Sequence, residues 1–150
     1  MNFIISHSNI NLNNFIFINP VKNKIKHNSI FYKLYYDNTF FLINNFMMKI
    51  QIKYDNNNNI LSHKEINNLN ILEDFLFKKL INGKNKNKKL IYISNNLINN
   101  KVNIFKKNKS YLSYDDIRIK NFIIKINGIW EDDENIGFSY SLIDNSNHLL

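Results

Sequence analysis

Three stretches of this 150-residue chain place cations at alternate positions, in two of them together with aromatic rings, the spacing that puts side chains on one face of a β-strand. In Ile30 to Tyr36 (IFYKLYY), Phe31, Lys33 and Tyr35 share one face and Ile30, Tyr32, Leu34 and Tyr36 the other. Phe46 to Tyr54 opposes Phe46, Met48, Ile50, Ile52 and Tyr54 to Met47, Lys49, Gln51 and Lys53. Lys101 to Lys107 (KVNIFKK) sets Lys101, Asn103, Phe105 and Lys107 against Val102 and Ile104. If the apolar faces form the core, the opposite faces present Phe31, Lys33 and Tyr35, then Lys49, Gln51 and Lys53, then Lys101, Phe105 and Lys107. That set suits single-stranded DNA or RNA: lysines follow the phosphates, and ring faces stack on unpaired bases at roughly 1–3 kcal/mol each, with little sequence preference. The competing expectation is that Phe31, Tyr35 and Phe105 pack beneath a second layer.

A second cluster is the run Glu131-Asp132-Asp133-Glu134, which supplies four of the twelve acids. It lacks the alternating ligand spacing of a calcium loop. A solvated turn is the plainer reading, and a partner-binding or regulatory loop the functional one. Without these four, twenty basic residues face eight acids, a net of +12 against +8 for the whole chain. Such charge favours an anionic partner. Codon bias offers another source: alanine is absent, proline, arginine and tryptophan occur once each, and asparagine, isoleucine and lysine are in excess, as an AT-rich genome would dictate.

Nothing in the chain suggests catalysis. It has no glycine-rich phosphate loop, no nucleophile elbow and no His-x-x-x-His pair. His7, His27, His63 and His148 are dispersed, and there is no cysteine, so neither a metal site, a cofactor nor a disulfide is expected. The apolar runs are too short to span a bilayer, and Met1 to Ile5 lacks the features of a secretory signal, so a soluble intracellular protein without membrane contact is expected.

The elements that must position these residues read as one domain over 1–150. Strands are expected near 14–19, 30–36, 40–43, 46–54, 90–94 and 101–107, with loops at Asn56 to Asn59 and at the basic segments Lys22 to Asn28 and Lys84 to Lys89. The spacing predicts one long amphipathic helix over about 63–82: Ser62 and Glu65 form a capping box, Ile66, Leu69, Leu72, Phe75 or Leu76 and Leu80 the apolar stripe, and Gly83 the stop. The chain then closes on a hairpin from about Ile117 to Ile143, bent near Asn121-Phe122, with Trp130 serving packing more than base contact. The fold class is α+β, mainly antiparallel β, an OB-like barrel or sandwich with its helix between strands.

Two segments carry a resemblance. Asn23 to Ile50 (NKIKHNSIFYKLYYDNTFFLINNFMMKI) and Lys125 to Leu142 (KINGIWEDDENIGFSYSL) resemble a group of poorly characterised proteins of large eukaryotic DNA viruses, with a Phe-Tyr-rich strand after a basic turn and a Gly-Ile-Trp-Glu hairpin. More distantly, the pattern is similar to phage-type single-stranded-DNA-binding proteins. The resemblance implies a non-enzymatic viral single-stranded nucleic-acid binder, acting with replication or virion proteins in the host cytoplasm or viral factory; the alternative it allows is a viral structural or protein-interaction component. Those binding proteins end in an acidic tail, whereas this chain ends DNSNHLL, so any acidic control falls to residues 131–134.

Overall fold

The computed structural model describes residues 4–5, 10–38, 41–55, 58–61, 63–82, 87–98, 104–105 and 118–144. Its longest strand, Arg118–Glu131 (β10 in chain order), pairs antiparallel with Asn135–Asp144 (β11), as the hairpin pattern predicts. The other edge of β10 is shared. Residues 118–126 pair with Phe46–Asp55 (β6), and residues 128–131 with the start of Ile30–Asn38 (β4). The register shifts between Ile126 and Gly128. That bulge hands β10 from one partner to the other.

The bend therefore lies at Asn127, not at Asn121-Phe122, where the ladder to β6 is unbroken. The alternation slips there for another reason: Phe122, Ile123 and Ile124 are all buried, so both faces of the strand are apolar at that point.

The remaining strands attach to this frame. Phe15–Phe17 (β2) and Val21–Lys22 (β3) run antiparallel to β4, Phe41–Asn44 (β5) makes a hairpin with β4, and Asn58–Leu61 (β7) with β6. Ile4–Ile5 (β1) lies parallel to β6, while Lys89–Ile91 (β8) and Ile104–Phe105 (β9) lie parallel to β11. The result is α+β, mostly strands in a mixed sheet, with the long helix His63–Ile81 (α1) between them. The sheet is open rather than closed into a barrel: among the described residues no ladder joins its β1 and β7 edge to its β8 and β9 edge.

Two expectations are corrected. Asn58 and Asn59, expected in a loop, begin β7. The strand expected over 90–94 stops at Ile91, and Ile93–Ile98 forms a short helix, α2. Its first turn is anchored on α1. Buried Glu73 accepts hydrogen bonds from the Ile93 amide, the Ser94 amide at 3.4 Å and the Ser94 hydroxyl at 3.1 Å. Ser62 of the expected capping box and Gly83, the expected stop, lie outside the described residues.

The core sits between α1 and one face of the sheet. Leu69, Leu72, Leu76 and Phe77 bury against Ile124, Ile126, Ile129, Phe138 and Leu142, so Leu76 rather than Phe75 holds the buried position of the helical stripe. Phe15 meets Tyr36 and Phe46 edge to face, at centroid distances of 5.0 and 4.9 Å, and Phe77 lies 4.6 Å from Phe138. Glu65 in the first turn and Lys78 and Lys79 in the last complement the helix dipole. No helix among the described residues is long and apolar enough to cross a membrane.

Left-handed backbone falls to asparagine in this glycine-poor chain. Asn28, Asn45 and Asn82 have φ of 53°, 71° and 28°. Asparagine tolerates that region better than other residues with a side chain. Asn45 joins β5 to β6, and Asn82 closes the end of α1 through its amide to the Lys78 carbonyl at 3.0 Å.

Candidate nucleic-acid interface

Residues directly opposed across a sheet project from the same side. Val21 on β3 stands opposite Phe31 on β4, Phe31 opposite Trp130 on β10, and Trp130 opposite Gly137 on β11. The next row is Lys33, Gly128 and Ser139. The intervening residues Ile129 and Phe138 belong to the core beneath α1, so both rows lie on the face turned away from the helix.

Both glycines make room for rings on this face. A Cβ on Gly137 would fall 2.5 Å from Cζ2 of Trp130, and one on Gly128 would fall 2.7 Å from Cζ of Phe31 and 2.2 Å from the Tyr32 carbonyl oxygen. Trp130 lies against the β11 backbone and Phe31 against that of β10, which only a residue without a side chain permits.

The basic turn after β3 folds over these rings. Asn23 organises it: its amide donates to the Ser29 carbonyl at 2.9 Å, and its side-chain oxygen accepts from the Ile25 and Lys26 amides at 3.0 and 3.3 Å. The Ser29 hydroxyl donates to the Lys26 carbonyl at 2.8 Å. Between turn and sheet lies a cleft of about 590 Å³ whose lining includes Lys22, Lys24, Lys26, Lys33, Phe31 and Trp130. That volume is within the range of small-ligand sites, about 300–1,000 Å³.

The four lysines differ. Lys26 places Nζ 3.3 Å from the centroid of Trp130 and 2.7 Å from Oδ2 of Asp132. Lys33 reaches within 5.2 Å of the Tyr35 ring. Lys22, Lys24 and Lys33 form no ion pair among the described residues.

The acidic run divides in two. Glu131 is buried and accepts from Lys88 Nζ at 2.7 Å and from the Tyr32 hydroxyl at 3.0 Å. Burial, then the Glu131 carboxylate, pushes the Tyr32 hydroxyl up to about 12. Asp132 uses Oδ1 to accept from the Glu134 and Asn135 amides, at 3.0 and 2.7 Å, which shapes the turn, and Oδ2 to pair with Lys26. The hydrogen bond from Lys26, reinforced by the two amides, holds its carboxyl well below the usual range. Of the four acids, Asp133 and Glu134 are exposed.

Of the residues that the sequence singles out, Phe31 and Lys33 line the cleft and half-buried Tyr35 adjoins Lys33. Lys49 and Gln51 are exposed on β6, opposite Ile123 and Asn121, on the same sheet face but outside the cleft; Met47 and Ile123, also on that face, are buried. Lys53 pairs through its backbone with Ile119 and Ile60, and Phe105 with Ile143 at the other side of β11. Lys101 and Lys107 lie outside the described residues.

Sequence reasoning missed Lys22, Lys24, Lys26 and the exposed side of Trp130. Their signals are the alternating lysines of VKNKIK directly before an aromatic strand, and a glycine on each arm of the hairpin that carries the tryptophan. Among the described residues no three His, Asp or Glu side chains converge as metal ligands would. No protein-family model, curated protein or solved structure matches the chain.

Proposed function

We propose that this protein is a non-enzymatic binder of single-stranded nucleic acid, and that the cleft between the basic turn and the β4–β10 face is where the strand is held. The observation that carries the reading is the seating of Phe31 and Trp130 side by side against backbone, under a turn bearing Lys24 and Lys26 and beside Lys22 and Lys33. Flat, restrained rings lose little entropy when a base stacks on them, and Lys22, Lys24 and Lys33, which form no ion pair among the described residues, are available to phosphates. Duplex DNA fits less well, because the bases of a duplex are already stacked on each other.

Strands, one long helix and further strands in that order support an OB-like reading of the open sheet, and the resemblance to large-DNA-virus proteins supports a role on viral replication intermediates. Titration with oligo-dT, read by Trp130 emission, tests the reading. Binding should saturate and weaken as salt rises, by a log–log slope of about −0.7 per phosphate neutralised.

A second reading has one observation in its favour. Val21, Ile25 and Leu42 are 57, 94 and 61% exposed, more than a solvated surface favours. A viral structural or protein-interaction component would use them against another protein, and would form complexes in a pull-down that survive nuclease treatment.

A further inference from the structure

Lys26 occupies the place where a stacked base would lie. Its ammonium sits 3.3 Å from the centre of the Trp130 ring, a normal stacking distance, on the cleft side, since the opposite side of the ring is closed by Gly137. It is fixed there by a 2.7 Å ion pair to Oδ2 of Asp132, and Asp132 is itself fixed through Oδ1 by two turn amides. We infer that Lys26 and Asp132 form a latch on the stacking platform: a base reaches Trp130 only when Lys26 leaves the ring, and a phosphate of the incoming strand replaces Asp132 as its partner.

This rests on the nucleic-acid reading and adds its regulation. It also assigns unequal roles to similar residues. Lys22 and Lys24 are simple attractors, whereas Lys26 both blocks the ring and contacts the strand. Asp132 opposes binding through a named cation, whereas Asp133, equally charged and one residue away, opposes it only through the general field.

Asp132→Asn separates these roles. The asparagine oxygen still accepts the turn amides, but an NH₂ group replaces Oδ2 and faces the Lys26 ammonium, donor against donor. Asp133→Asn makes the same charge change in the same turn without touching Lys26. In the full chain, oligo-dT affinity should rise about two- to fivefold for Asp132→Asn, the range an exposed ion pair supports, and by a smaller factor for Asp133→Asn. Acrylamide quenching of Trp130 should increase in Asp132→Asn with no oligonucleotide present, and stay at the wild-type level in Asp133→Asn. With no oligonucleotide present, acrylamide quenching of Trp130 should rise in Lys26→Ala, which clears the ring, and stay at the wild-type level in Lys24→Met.

Equal gains from the two Asp→Asn variants, with Trp130 equally shielded in both, would overturn the latch. So would Trp130 quenching in Lys26→Ala no higher than in Lys24→Met. If neither the wild type nor any variant binds oligo-dT while quenching still rises in Asp132→Asn alone, the latch stands as a structural pair and the nucleic-acid reading falls.

Discussion

The two faces of the central sheet use the same kind of residue for opposite ends. On the helix side, Phe15, Phe46 and Phe77 are at most 2% exposed and meet other rings at an angle, so each is held from every direction by apolar neighbours. On the cleft side, Phe31 and Trp130 lie against glycine backbone and have lysines as neighbours. A ring's role here follows from what lies over it, not from its hydrophobicity. Rings under α1 should matter to stability and rings under the basic turn to binding.

The largest effect expected from this contrast is on the helix side. Phe77→Ala removes a ring that meets both Phe138 and Tyr92, and should cost about 3–5 kcal/mol in urea denaturation. Of a domain's usual ~5–15 kcal/mol, that is a large fraction. A loss below about 1 kcal/mol would break the contrast.

Carboxylates sharpen it next. Glu131 is buried but paired with Lys88, whereas Glu73 is buried against α2 with no ion pair among the described residues, and burial pushes its carboxyl up to about 7 despite the hydrogen bonds it accepts. An acid whose pKa is higher folded than unfolded stabilises the fold when protonated. That contribution is complete below the unfolded value near 4.5 and is lost as pH rises through about 7, a change on the order of 3 kcal/mol. Stability should fall over this window, and Glu73→Gln, which retains an acceptor for the Ile93 amide, should flatten the curve in denaturation measured at pH 5 to 8.

On the cleft side, Phe31→Ala should leave most of the stability intact and weaken oligo-dT binding by about 1–3 kcal/mol. The opposite pattern would move Phe31 into the core class. Smallest in free energy at moderate salt is Lys24→Met, which should reduce the salt slope by about 0.7 if Lys24 neutralises one phosphate.

Much of this arrangement was legible in the residues. The alternation at Leu34 and Tyr36 of β4 and at Phe46, Met48 and Ile50 of β6, and the three-and-four spacing of α1, report burial directly, because one side of each element meets the core; exposed Ile30 and buried Met47 depart from that alternation. What failed depended on partners distant in sequence. The bulge at Asn127 exists because β10 changes partner from β6 to β4, and α2 because Glu73, twenty residues before Ile93, accepts its first amides.

The site was half visible for the same reason. Phe31 and Lys33 announced themselves by alternation within one strand, but the cleft also needs Lys26 to fold onto Trp130 across more than a hundred residues of chain. Gly128 and Gly137 serve close approach, neither has a left-handed backbone, and asparagine carries the turns. Four consecutive acids looked like one feature because sequence shows charge without partners; two of them are joined to Lys88 and Lys26.

The most direct test of the central claim is a titration of the wild-type protein with oligo-dT, at low and at moderate salt, observing the single tryptophan. A saturable change in Trp130 emission is expected, with affinity that drops steeply as salt rises. An unchanged emission at both salts, or binding indifferent to salt, would contradict it.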